Sequence, residues 1–181
     1  LFLDRFQTAL IASGRHNNYG AVLFIDLDRF KSLNDTLGHD YGDLLLIEVG
    51  RRIKSSIREV DTVARLGGDE FVVLIEAVSE VHDDAARKVM LFGEKIRAAL
   101  AHPYQLKEHV HHSSPSIGVC LYRGNDESRE ILLEHADMAM YQAKKSGRNA
   151  VRLFDPSMLQ DVPAHDSPGN ELLQAAPSST L

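Results

Sequence analysis

Apolar positions along this chain switch between a helical and a strand period, and the switches divide it into elements. "LFLDRFQTALIAS" carries an amphipathic helical stripe from the first residue. "AVLFIDLD", Ala21 to Asp28, is an unbroken apolar run ending in acids, the pattern of a buried central strand. A short helical stretch from Arg29 leads into "DTLGHDYGD", which its glycines and aspartates predict as a loop. Helical spacing returns from Asp43, with Leu46, Val49, Ile53 and Ile57 on one stripe ending near Arg58. Thr62 to Ile75 reads as a hairpin with Gly67-Gly68 at its tip, and Ala85, Val89, Phe92, Ile96 and Leu100 mark the next helix. "HPYQLKEHVHHSSPSIGVCLY" predicts further strands, the last over Ser114 to Tyr122. "SREILLEHADMAMYQAKKSGR" predicts a helix closed by Gly147, and "NAVRLF" a final strand. Strands and helices alternate without a steady βα rhythm. The expected fold class is therefore α+β, one mostly antiparallel sheet with helices on its faces.

Composition narrows the function classes. With 181 residues the chain has the size of a single domain, and 44% apolar content supplies a core. A net charge of −6 argues against a general duplex-binding surface or a polymerase channel, both of which need cations against phosphates. It leaves open a single nucleotide held through metal ions. Cys120 is the only cysteine, so no internal disulfide can form. No apolar run reaches the roughly 18 residues of a membrane helix, and the expectation is a soluble cytoplasmic domain whose parent can still be membrane-anchored. The helix under way at the first residue predicts a fragment of a longer protein. From Asp155 the composition shifts to Pro, Ser, Asp and Gly, predicting a linker or partly disordered tail over 155–181.

Two acidic sites stand out. Asp26 and Asp28 end a buried run at a spacing that puts both on one strand face, where carboxylates are costly unless solvated, paired or metal-bound. Asp69 and Glu70 follow a glycine pair at a hairpin tip. Those glycines are expected to supply positive φ and to leave room for a ligand. Alone, each site reads equally well as a solvated strand end or a tight turn. Together they suit a centre where Mg²⁺, or Mn²⁺, bridges protein oxygens to nucleotide phosphates.

These residues carry a resemblance. "RLGGDEF" resembles the signature of the GGDEF family, the diguanylate cyclases. "FIDLDRFKSLNDTLGHDYGD" is similar to that family's metal- and guanine-binding segment, and "ADMAMYQAKKSGRN" to its phosphate-binding helix. The likeness runs over about 1–154 and implies a palm-like, nucleotidyl cyclase-like fold. It also implies a homodimer that condenses two GTP molecules to cyclic di-GMP and pyrophosphate. Carried across, Asp26, Asp69 and the Leu27 carbonyl would hold the metal. Asn34 and Asp43 would bind the guanine edge, with Phe30 beside that segment though better read as packing. Lys31, Lys144 and Arg148 would hold the triphosphate, the last two expected on one helical face. Gly67 and Gly68 would lie against the nucleotide, and Glu70 would assist the metal or the 3′-hydroxyl.

"REVD" places Arg58 and Asp61 just upstream, with five residues between Asp61 and Gly67. By composition this is a surface ion pair of small worth. In family context it resembles the inhibitory site, where arginine and aspartate grip cyclic di-GMP. Lys95 falls where the family's second arginine is expected, and lysine lacks the bidentate fork. The resemblance leaves a second reading, a catalytically silent module that binds GTP or cyclic di-GMP and regulates an attached domain. "FDPSM" resembles the lead into an EAL phosphodiesterase domain, so an upstream sensor and a downstream EAL domain are the expected neighbours. The family segment normally ahead of "LF" is not in the sequence, which predicts a looser first helix or dimer. The histidines of "EHVHH" read as a solvated edge strand rather than a zinc site, for want of a second ligand cluster.

Overall fold

A computed structural model of the chain describes residues 1–160. The central layer is a five-stranded sheet in the order β2-β3-β1-β6-β7. Its strands are β1 (Tyr19–Leu27), β2 (Thr62–Gly67), β3 (Glu70–Ser79), β6 (Pro115–Tyr122) and β7 (Ala150–Leu153). All neighbours pair antiparallel except β6 and β7, which run parallel. A separate small hairpin joins β4 (Tyr104–Leu106) to β5 (His109–His111). The "AVLFIDLD" run forms the central strand as its composition predicts, buried at every position from Gly20 to Leu27.

Alternation along β1 divides the core in two. Ala21, Leu23, Ile25 and Leu27 pack with residues of α3 (His39–Ser56) and α4 (His82–Ala101) on one face. Val22 and Phe24 pack with α1 (Phe2–His16) and α5 (Arg129–Lys145) on the other. Phe6 and Leu10 of α1 are almost wholly buried, with the Phe6 ring edge-on to Tyr122 at 5.6 Å, so the first helix is seated rather than loose. Helix α5 begins at Ser128, whose side chain accepts from the Ile131 N–H. It lies directly on β6 because Gly118 leaves room. A Cβ there would stand 1.9 Å from the Ala136 carbonyl and 2.1 Å from the Met140 nitrogen.

Two local expectations are corrected. "DTLGHDYGD" is not a loop: α2 (Phe30–Leu37) and α3 are separated only by Gly38, at φ 89°, and His39 to Asp43 form the first turn of α3. A single glycine at positive φ breaks the helix, so no longer connection is needed. Arg148 is not on one helical face with Lys144. The helix ends at Lys145, and Arg148 and Asn149 both take left-handed φ in the turn to β7.

The ordered unit closes at Phe154, whose N–H bonds the Val119 carbonyl at 2.7 Å and whose ring stacks on His135. A short 3-10 helix, Pro156–Gln160, follows where a linker was expected. The rest of the expected tail, 161–181, lies outside the described residues. No helix among the described residues is long and apolar enough to cross a membrane.

Candidate active site

The carboxylates that stand 43 residues apart in sequence meet at one end of the sheet. Asp26 is the cross-strand partner of Glu70, which puts their side chains on the same face. Pairing between β1 and β3 stops there, so Leu27 lies one residue past the last rung, level with Asp69 in the turn. The Leu27 side chain is buried in the core, and only its carbonyl can serve the site. The turn itself is Gly68-Asp69, since Gly67 already pairs with Glu70. Of the two glycines only Gly68 has positive φ, 48°, which corrects the expectation for Gly67. A Cβ at either glycine would meet nothing within 4 Å, so the turn's outer side is open to a ligand. Arg65 braces this turn with two N–H bonds to the Gly68 carbonyl, at 2.9 and 2.7 Å.

Burial raises the proton affinity of these acids. Burial pushes Asp26 up to about 6, against the favourable bond from Lys144 and with added repulsion from Asp69 and Asp28. Glu70 rises to about 7, by burial first and then by the charges of Asp26, Asp137 and Asp69. Asp69 is raised as well, chiefly by burial. Among the described residues the cation in contact with Asp26 is Lys144, on the last turn of α5, whose Nζ lies 2.7 Å from Asp26 Oδ2. A cluster of desolvated carboxylates with one ammonium among them is short of positive charge.

Asp28 shares the strand end but has another task. It accepts from the hydroxyls of Ser114 (2.6 Å) and Ser116 (2.8 Å) and from the Asn149 N–H (3.1 Å). This locks the end of β1 to β6 and to the turn carrying Arg148. The sequence marked Asp28 as a costly strand-end acid, but its partners come from distant segments and could not be read from it.

Helix α2 starts at Phe30, three residues past the end of β1, and carries Phe30, Lys31 and Asn34. Lys31 is exposed, and Phe30 packs half-buried against the core, consistent with the packing role expected of it. Asn34 Oδ1 is buried without a hydrogen-bond partner, an arrangement that a ligand N–H would relieve. Gly42, in the first turn of α3, faces it: a Cβ at Gly42 would sit 2.0 Å from Asn34 Oδ1 and 3.2 Å from Phe30 Cζ. Asp43 follows, exposed, on the same helical turn. The sequence reading took Gly42 for a loop residue. Continuing the helical stripe of α3 back through Tyr41 and Leu45 would have found it.

The residues fit a divalent cation held jointly with a phosphorylated ligand. Among the described residues no three His, Cys, Asp or Glu side chains already surround one point. Asp26, Asp69 and the Leu27 carbonyl are hard oxygen donors, and Mg²⁺ typically takes one or two carboxylates and completes its shell with water and phosphate. That donor set and the local charge imbalance both suit Mg²⁺ or Mn²⁺.

Arg58 and Asp61 lie away from this centre. Asp61 is buried and fully engaged, accepting from the Arg58 N–H (2.9 Å), from the Arg58 guanidinium (3.1 and 2.9 Å) and from the Glu76 N–H (3.4 Å). The two residues are thus paired with each other. Asp61 positions Arg58, and only Arg58, about half exposed, is open to solvent. Lys95 donates to the Ser56 carbonyl at 3.0 Å, pointing toward the end of α3. Next to Arg58 a cavity of about 200 Å³ is lined by Ile75, Val78, Lys88, Val89 and Phe92.

With this geometry, the likeness to known proteins is specific. The family model described as diguanylate cyclase, GGDEF domain, matches residues 1–150. The chain is 48% identical over 155 residues to the bifunctional diguanylate cyclase/cyclic di-GMP phosphodiesterase MucR of Pseudomonas aeruginosa, covering 86% of this chain and 22% of MucR. It is 40% identical over 170 residues to the diguanylate cyclase TpbB of the same species, covering 92% of this chain and 38% of TpbB. The crystal structure of the TpbB GGDEF domain superposes with a TM-score of 0.79 at 39% identity, covering 85% of this chain and 93% of that one. The chain thus spans between about a fifth and two fifths of the length of these curated relatives.

Proposed function

The chain belongs to the GGDEF family of diguanylate cyclases, and on that premise we propose that this domain condenses two GTP molecules into cyclic di-GMP with release of two pyrophosphates. The observation that carries the reading is the convergence of Asp26, Asp69 and Glu70 at the strand end that leads into α2, where Asn34 presents a buried, unpartnered oxygen. We place the site on residues 1–154.

Asn34 Oδ1 accepts an N–H from the guanine edge, and Asp43 offers a second acceptor to the N1–H and 2-amino donors. Adenine lacks that donor pair, so it would leave Asp43 unpaired. Gly67 and Gly68 keep the hairpin backbone clear for the nucleotide, while Lys31, Lys144 and Arg148 neutralise phosphate oxygens. Asp26, Asp69 and the Leu27 carbonyl would hold Mg²⁺, which supplies charge neutralisation at the phosphates. The reaction joins the 3′-oxygen of one GTP to the α-phosphorus of the other. The bond to pyrophosphate breaks, and the hydroxyl proton is lost. Glu70, its proton affinity raised to about 7, stands beside the metal carboxylates as the group able to accept that proton.

One chain provides one nucleotide pocket, so two domains must face each other across a two-fold axis for the two attacks to occur. A lone domain binds substrate without turning it over. Feedback by cyclic di-GMP is placed at Arg58, held out by Asp61, with the neighbouring apolar cavity receiving part of the product's surface and Lys95 at its margin. In the parent protein we place the domain in the cytoplasm, downstream of a sensor.

The test is incubation with GTP and Mg²⁺ across a range of protein concentrations, with detection of cyclic di-GMP. Product rising faster than linearly with protein supports the dimeric cyclase. Tight GTP binding with no product at any concentration overturns it in favour of a silent binding module.

A further inference from the structure

The 2.7 Å contact between Lys144 and Asp26 joins a residue reserved above for phosphate to one reserved for metal. Contact with the ammonium and contact with a metal compete for the same carboxylate. Asp26 is 7% exposed and sits mid-sheet between Glu70 on β3 and Ser116 on β6. A carboxylate so placed requires a cation. In the free domain that cation is Lys144, brought there by the close seating of α5 on Gly118. The remaining polar neighbours do not replace it: the hydroxyl of Ser116 is given to Asp28, and Arg65 is given to the hairpin turn.

We propose that Lys144 is a built-in counterion of Asp26 that competes with a divalent ion for that carboxylate, so that the ion and a triphosphate bind best together. The inference rests on the metal–nucleotide reading above and adds an order of events to it. A bare divalent ion approaching Asp26 meets an ammonium already in place and must displace it toward solvent or the neighbouring Asp69 and Glu70 carboxylates, against direct repulsion between the two cations. When the ion arrives bound to a nucleoside triphosphate, the phosphates supply that partner. The ammonium, on a flexible four-carbon stem, transfers from carboxylate to phosphate while the ion takes its place on Asp26. Metal and nucleotide affinities are thereby coupled, and by linkage each raises the other's. Asp26 thereby keeps a cationic partner at any metal concentration.

The test measures Mn²⁺ binding by the loss of the free-ion EPR signal, without nucleotide, in the unmodified chain and in Lys144→Met. Far-UV circular dichroism checks the fold, and Lys144→Gln serves as a second neutral variant. The expected result is weak binding to the unmodified chain and binding about tenfold or more tighter to both variants, abolished again by adding Asp26→Asn. The same variants should bind a non-hydrolysable GTP analogue with Mn²⁺ more weakly than the unmodified chain does. Unchanged nucleotide-free Mn²⁺ affinity in both variants overturns the proposal. Failure of the GTP analogue to bind any of the proteins would overturn the functional reading instead, and the nucleotide-free comparison would still decide this one.

Discussion

Gly42→Ala adds one methyl at the point where the proposed guanine pocket is narrowest. The new Cβ would lie 2.0 Å from Asn34 Oδ1 and 3.0 Å from its Cγ, with Phe30 Cζ at 3.2 Å. The amide must retreat by about 1 Å to restore even a tight contact, and a bond near 2.9 Å stretched that far is no longer a hydrogen bond. Guanine would then lose its bond to Asn34 and leave a donor unpaired, a cost of about 1–3 kcal/mol, or roughly 5- to 150-fold in affinity. Stability should change little. Crowding costs about 1–3 kcal/mol, and replacing a helical glycine by alanine, here in the first turn, returns at most about 1 kcal/mol. Calorimetric titration with a non-hydrolysable GTP analogue and Mg²⁺, beside a thermal melt, separates the two effects. A selective loss of GTP affinity is expected, with the GTP-over-ATP preference shrinking as well. Affinity within about twofold of the parent, in a normally folded variant, would refute the guanine pocket as drawn.

Other consequences follow from the same contacts. Asp61→Ala removes the acceptor for two backbone N–H groups and the anchor of Arg58, and should lower stability by about 2–4 kcal/mol, read by denaturant unfolding. Arg58→Ala should abolish tight binding of cyclic di-GMP while initial turnover stays at the parent rate, and unchanged product affinity would remove Arg58 from the feedback site. Asp28→Ala frees the Asn149 N–H and two serine hydroxyls. It should cost about 2 kcal/mol or more and weaken nucleotide binding by loosening the Arg148 turn, measured by melting and by GTP titration. The Cys120 thiol is buried and its pKa is pushed up to about 12 by that burial, so the thiolate is scarce at neutral pH. Ellman's reagent should react with it only after unfolding.

How much was legible follows from the range of each interaction. The strands, α1, α4 and α5 emerged from hydrophobic period because burial acts on every residue of an element. The hairpin emerged because its tip needs glycine at Gly68. Around Gly38 the reading failed: glycine and aspartate usually spell a loop, yet one left-handed residue let two helices abut. Arg148 was misplaced for a related reason, since the last turn of a helix and the turn beyond it share a spacing in sequence but not a face. The acids of the site were visible as anomalies in apolar surroundings. Their partners were not. Lys144 on Asp26, Asn149 on Asp28 and Gly42 against Asn34 are set by tertiary packing over distances that no local pattern encodes. Asp61 shows the reverse: a motif suggested a ligand contact, and the fold spends its carboxylate internally.

The central claim, that a cation bound to GTP is held between the two strand-end acids, is tested most directly by anomalous diffraction from crystals grown with Mn²⁺ and a non-hydrolysable GTP analogue. The account predicts one manganese peak in contact with Asp26, Asp69 and the Leu27 carbonyl, with Lys144 moved onto phosphate. Nucleotide bound in the pocket with no metal at Asp26, and Lys144 still on that carboxylate, would contradict it.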